Sequence, residues 1–294
     1  MLIHMDLTTA AYRLGWATST KVPERVVRPV LRAAADAVWW RHGDPVRTLE
    51  ANLARAVPGA TAEEMRHLSR AALRSYLRYW GEAFRLPRWS AADLRVRVIP
   101  HRVERVRDTL DGGRGVVAAL PHMGNWDLAG AWACVEGMPV TTVAERLRPE
   151  SLFDDFVRYR ESLGMEVLGL TGGLPVPPVL ERRLLDGRFV CLLADRDLAR
   201  RGILVPFLDG TARMPVGPAW LARSTGALLI PVSTSYEGDR MHLWCHPSIE
   251  VADGSRGLVD ATAAMAATFG RAIRRDPADW HMLQPVLDEP ARRH

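Results

Sequence analysis

The chain has 294 residues, 48% hydrophobic and 25% charged, with a formal net charge of +5; it can bury one substantial core and is neither disordered nor fibrous in composition. Three widely spaced cysteines, Cys134, Cys191 and Cys245, exclude a disulfide framework and point to a reducing compartment. The N-terminus lacks the basic and apolar regions of a secretion signal, and no run of about 18 apolar residues occurs anywhere, so a cytoplasmic protein without a spanning segment is expected.

Residues 1–90 read as helices. Pro45 after Asp44 marks one helix start, and Thr61-Ala-Glu-Glu64 is a capping box opening a helix to about Arg85. Met65, Leu68, Ala72, Leu73, Tyr76, Tyr79, Trp80 and Phe84 recur along it at helical spacing. This third holds 14 Lys+Arg against 8 Asp+Glu, whereas the remainder holds 25 against 26. It also carries five of the ten tryptophans, Trp16, Trp39, Trp40, Trp80 and Trp89, interleaved with arginines. Tryptophan beside arginine is the composition of an interfacial helix, so contact with an anionic membrane surface is expected. Helix-on-helix packing and a solvated basic face are the plainer readings of the same residues.

From about residue 93 short apolar runs alternate with amphipathic ones. Strands are predicted at 94–99, 115–120, 139–144, 166–170, 189–194, 227–236 and 241–246, with helices over 101–111, 124–136, 150–163, 176–186, 216–225 and 258–275. That alternation predicts a single α/β domain with a central, mostly parallel twisted sheet flanked by helices, preceded by the helical part. Sites in such sheets form at the carboxyl ends of strands.

Nucleophile elbows, P-loops, dinucleotide turns and zinc-protease motifs are absent. His242, Cys245 and His246 resemble a metal cluster only superficially, because a strand sends Cys245 to the other face; no metal or cofactor is expected. Attention falls on His122-Met-Gly-Asn-Trp-Asp127. Pro121 closes the strand at 115–120, so His122 is predicted on a strand-to-helix loop at the carboxyl edge, with Asp127 in the first turn of the next helix. Histidine takes a proton near neutral pH, and a carboxylate on its other nitrogen fixes the tautomer. The spacing alone is weak, since nine histidines and 34 acids yield about one such pair by chance.

The sequence around it is more specific. His122-x4-Asp127 resembles the motif of the glycerolipid and lipid A acyltransferases. Thr142-Val-Ala-Glu-Arg146, Pro149-Glu-Ser-Leu152 and Arg158-Tyr-Arg-Glu-Ser-Leu-Gly164 look like the second block of the lipid A late acyltransferase family. Leu193-Ala-Asp-Arg-Asp197 looks like its third. Pro206-Phe-Leu, Ala212-Arg-Met-Pro-Val-Gly-Pro-Ala219 and Thr225-Gly-Ala227 look like its fourth, and Ala278-Asp-Trp-His-Met-Leu-Gln-Pro285 is similar to its closing segment. Within the family, Val143-Ala-Glu-Arg-Leu and Leu170-Thr-Gly-Gly173 are most similar to the actinobacterial phosphatidylinositol mannoside acyltransferases.

That resemblance implies transfer of a long acyl chain, palmitoyl from acyl-CoA, to the 6-hydroxyl of the mannose on the inositol 2-position of a phosphatidylinositol mannoside. It implies a peripheral enzyme at the cytoplasmic face of the inner membrane, with His122 as general base and no nucleic-acid partner. Asp127 and Asp195 are both candidates to orient His122; the mannoside enzymes tend to have glutamate where Asp195 stands. Arg160 is the candidate for oxyanion or phosphate contact and Glu145 for an acceptor hydroxyl, with a helix-surface pair as the plainer reading of both. Arg196, Arg200, Arg201 and Arg213 are candidates for phosphates, and the Met214-Pro215 and Gly217-Pro218 turns for an acyl groove. The alternatives are a lipid A-type enzyme drawing on acyl carrier protein, a thioester hydrolase, and a non-enzymatic module binding anionic lipid or nucleic acid.

Overall fold

The helical N-terminal part is present in the computed structural model, which describes residues 22–146, 149–170, 175–197 and 201–286. It comprises α1 (Glu24–Arg41), α2 (Asp44–Ala56) and α3 (Ala62–Arg85). Pro45 lies in the first turn of α2, where its missing N–H would have been unpaired anyway. Thr61 caps α3 in a complete box, its hydroxyl accepting from the Glu64 amide and the Glu64 carboxylate accepting from the Thr61 amide. The stripe led by Ala72, Leu73 and Tyr79 turns inward.

The strand expected at 94–99 is instead a helix, α4 (Ala91–Arg97), followed by β1 (Val98–His101). Ser90 and Asp93 form a second capping box that starts it. The alternation Leu94, Val96, Val98 imitates a strand, but Val96 is 71% exposed and Leu94 4%; that difference belongs to a helix end lying on the core.

Strands and helices then alternate: α5 (Glu104–Asp111), β2 (Val116–Leu120), α6 (Trp126–Val135), β3 (Val140–Ala144), α7 (Glu150–Ser162), β4 (Glu166–Gly169), α8 (Val176–Leu185) and β5 (Phe189–Leu193). A hairpin absent from the sequence reading follows, β6 (Ile203–Pro206) with β7 (Thr211–Met214). The chain continues through α9 (Gly217–Thr225), β8 (Leu228–Glu237), β9 (Arg240–Cys245), α10 (Gly254–Arg275) and a 3-10 turn, Pro277–Asp279.

Seven strands form one sheet in the order β1-β9-β8-β2-β5-β3-β4. Five run parallel from β8 to β4; β9 pairs antiparallel with β8, and β1 pairs parallel with β9. All five residues of central β2 are buried, as a strand covered on both faces requires. Successive residues supply two cores: Val117 and Ala119 join one with α10, and Val116, Ala118 and Leu120 join the other with α6.

Candidate active site

The register of β2 and β5 decides where the polar residues meet. Leu120 pairs with Leu193, and the ladder continues one step as the Ala194 amide donates to the Leu120 carbonyl at 2.8 Å. Two residues beyond each partner stand His122 and Asp195, side by side at the carboxyl edge. His122 Nδ1 lies 2.5 Å from Asp195 Oδ1, and the His122 amide donates to Oδ2 at 2.9 Å. Trp280 Nε1 donates to the same Oδ2 at 2.9 Å. Asp195 is wholly buried, whereas the His122 side chain keeps 24% exposure. Burial alone would raise the Asp195 carboxyl, but His122 and the hydrogen-bond donors around it hold it below the ordinary carboxylate range. With Asp195 on Nδ1, that nitrogen carries the proton and Nε2 is left as the basic one.

Asp127 goes elsewhere. It sits in the first turn of α6, 2% exposed, accepting from Tyr79 Oη at 2.9 Å and from Arg160 Nε at 2.7 Å. Burial pulls the Arg160 guanidinium down, but the Asp127 carboxylate outweighs it and fixes the positive charge. Of the two candidate orienters, Asp195 contacts the imidazole, and Asp127 joins α6 to α3 and α7. Arg160 is correspondingly engaged with Asp127. Glu145 stands exposed just past β3 and makes no pair with Arg160. Arg196 follows Asp195 half-buried; Arg213, on β7, donates to the Gly202 carbonyl; Arg201 is exposed; Arg200 lies outside the described residues.

The loop carrying His122 is held from several sides. Gly124 has φ +55°, and a Cβ there would lie 2.7 Å from Thr234 Oγ1 and 2.9 Å from the Thr234 carbonyl oxygen, so only glycine allows this approach. Asn125 caps α6 through the Leu128 amide and donates Nδ2 to Glu82, which also accepts from Tyr236 Oη. Behind the loop runs the segment after α10: the Gly124 amide donates to the Asp279 carbonyl, and the His281 amide to the His122 carbonyl. Ser75 Oγ contacts both Asp279 Oδ1, at 2.5 Å, and His281 Nε2, at 2.9 Å. Sequence reasoning assigned no role to Trp280, His281, Tyr79, Ser75, Glu82 or Asn125. The closing block containing Trp280 and His281 was the one visible signal.

Trp126 stands edge-on to His122, 5.5 Å between centroids, and also lines a narrow apolar pocket. Leu120, Leu193, Thr142, Ala133, Met138 and Met165 are among its walls. The pocket lies on the α6 face of the sheet. Of the Met214-Pro215 and Gly217-Pro218 turns expected to shape an acyl groove, Met214 is instead fully buried in the opposite core, and none of the four residues lines this pocket. Its free volume is about 90 Å³, so a long chain entering it must displace flexible wall residues such as the two methionines.

The model for bacterial lipid A biosynthesis acyltransferases matches residues 2–288. A phosphatidylinositol mannoside acyltransferase of Mycolicibacterium smegmatis is 46% identical over 281 residues, covering 95% of this chain and 91% of that protein. One of Mycobacterium tuberculosis is 44% identical over 286 residues, covering 95% and 88%.

Proposed function

The chain belongs to the bacterial lipid A biosynthesis acyltransferase family, and we propose that it moves a long acyl group, palmitoyl, from acyl-CoA to the 6-hydroxyl of the mannose on the inositol 2-position of a phosphatidylinositol mannoside. The observation that carries this reading is the Asp195–His122 pair, its imidazole partly open to solvent and in contact with Trp126, which also lines an apolar pocket. His122 Nε2 accepts the hydroxyl proton as the sugar oxygen attacks the thioester carbonyl. Asp195 steadies the imidazolium that forms, and collapse of the tetrahedral intermediate expels the thiolate. A thiol of pKa about 8.5 leaves without a strong general acid. The acyl chain occupies the apolar pocket, which leaves the polar edge for the sugar.

The names of the mycobacterial relatives favour the mannoside acceptor over a lipid A precursor. The membrane face is formed by α1, whose outer side exposes Val26, Val30 and Trp40 beside Arg25 and Arg41. No helix among the described residues is long and apolar enough to cross a membrane. The decisive assay follows radiolabelled palmitoyl transfer from palmitoyl-CoA to purified phosphatidylinositol mannoside. His122→Ala is expected to lower turnover by at least about 10²–10⁴ with the fold intact. Full activity in that variant, or transfer only to a lipid A precursor, removes the assignment.

A further inference from the structure

A second cavity, about 470 Å³, opens between α1 and α3 on the side of α1 opposite its apolar face. Its walls carry Arg28 and Arg32 from α1 and Arg70, Arg74 and Arg78 from α3. The carboxylates nearby are already engaged. Asp36 takes Nε and Nη2 of both Arg70 and Arg74. Glu24 and Asp239 hold Arg28, and Glu82 holds Arg78 Nε. Guanidinium donors are left over. Arg32 has no ion-pair partner among the described residues, and Arg78 Nη2 is buried without an acceptor. A buried donor of this kind is costly unless something completes it.

Surplus arginine forks recognise multi-oxygen anions, phosphate above all, through paired charge-assisted hydrogen bonds. The cavity is larger than a lone phosphate fills, and its walls add Ser75 and the carboxylates of Glu82 and Asp279, which already accept from Arg78, Asn125, Tyr236 and Ser75 but keep a lone pair for a further hydroxyl. We propose that this cleft binds a phosphorylated polyol, its phosphate on the arginines and its hydroxyls toward those groups. A phospholipid headgroup and a free polyol phosphate both offer this chemistry. No residue lines both this cleft and the apolar pocket, so the two are separate.

Titrating the intact protein calorimetrically with inositol 1-phosphate tests this, with myo-inositol and inorganic phosphate as comparators. Inositol 1-phosphate is expected to bind, inositol to give no heat, and inorganic phosphate to bind more weakly. Arg32→Gln and Arg70→Gln should each weaken binding about tenfold, while Arg41→Gln on the outer face leaves it unchanged. Arg32 has no ion-pair partner among the described residues, so its replacement breaks none of their ion pairs, and near-ultraviolet circular dichroism checks the fold. Sedimentation with phosphatidylcholine vesicles doped equally with phosphatidylinositol or phosphatidylglycerol separates the sources. A preference for phosphatidylinositol, erased by inositol 1-phosphate, identifies the lipid headgroup as the source; soluble binding without that preference identifies a free polyol phosphate, and either supports the cleft. No binding, or wild-type affinity in both cleft variants, overturns the proposal, and inorganic phosphate binding as tightly overturns its polyol part. None of these readouts needs turnover, so their failure is distinct from failure of the acyl-transfer reading.

Discussion

Two aspartates with similar sequence credentials do different work because of what surrounds them, and substitution should separate them. Asp195 touches His122 and Trp280, and Asp127 touches Tyr79 and Arg160. Asp195→Asn keeps the volume but loses the charge that favours the imidazolium, so turnover should fall by about 10²–10⁴ while the melting temperature changes little. Asp127→Asn leaves Arg160 buried without its counter-charge, and about 3–5 kcal/mol of stability should go instead. Denaturant unfolding beside initial rates checks both; a reversed pattern would transfer the orienting role to Asp127. The two groups joined through Ser75 make a second test. Burial pushes the Asp279 carboxyl up to about 6 and the His281 imidazole down to about 3. For Asp279 the folded state holds its proton more tightly, so its stabilising effect is complete below about pH 4 and is lost as pH rises through 6. For His281 the unfolded state binds the proton, so its contribution is present above about pH 6.5 and is lost as pH falls toward 3. Between about pH 4 and 6 the slopes oppose, each up to about 1.4 kcal/mol per pH unit. Relative to wild type, Asp279→Asn should therefore make stability rise more steeply with pH in that window, and His281→Gln should make it rise less steeply or fall. Parallel curves for all three proteins would show that neither group titrates as its burial implies.

Among the elements, α6 brings the polar and apolar halves of the site together. Its first turn holds Asp127, its cap Asn125 ties the His122 loop to Glu82, and its inner face walls the apolar pocket with Ala133. Enlarging that wall should shorten the chain the enzyme accepts without touching the base. Ala133→Phe is expected to cost about 1–3 kcal/mol of stability through overpacking and to move the preferred acyl donor toward shorter chains. Competition between donors of different length reads this directly, and an unchanged chain-length profile in a folded variant would place the acyl chain elsewhere. Most elements were legible in the sequence because each carried its own local signal. The capping box at Thr61 and the unbroken apolar run of β2 are such signals. The exception at 94–99 had one too: Ser90-Ala-Ala-Asp93 is a helix start, and the alternation after it outweighed it. The β6–β7 hairpin carried a turn signal as well, Asp209-Gly210 directly before β7, but the apolar Phe207 and Leu208 make its loop four residues long and each strand spans only four residues, so it did not read as a hairpin.

At the scale of the whole molecule, strand order was the information missing from the sequence. Local pattern placed His122 and Asp195 at carboxyl ends of two strands, but only the order β2-β5-β3, which departs from chain order, makes them neighbours. The same holds for Trp280, which reaches Asp195 from 85 residues away; nothing local encodes that contact. The basic, tryptophan-rich third likewise divided in a way composition did not reveal. Trp39 and Trp80 pack inward, Trp39 donating to Ser69 and Trp80 meeting Phe156, whereas Trp40 is 81% exposed. Both plain readings of that third hold for parts of it, and the membrane reading narrows to the outer side of α1. There Val26, Val30 and Trp40 recur at helical spacing with arginine on the flanks, so a membrane contact at this surface would combine apolar insertion with attraction to anionic headgroups. Replacing Val30 and Trp40 by serine removes exposed apolar area and little packing, so stability should stay within about 0.5 kcal/mol of the parent. Binding to anionic vesicles should weaken several-fold, at about 25 cal/mol per Å² of area no longer inserted, and raising salt should weaken the remainder further. Turnover of a detergent-dispersed acceptor should fall far less than turnover of the same acceptor in vesicles. If both fall together, α1 supports the catalytic core rather than the membrane contact; if neither falls, the membrane is met by another surface.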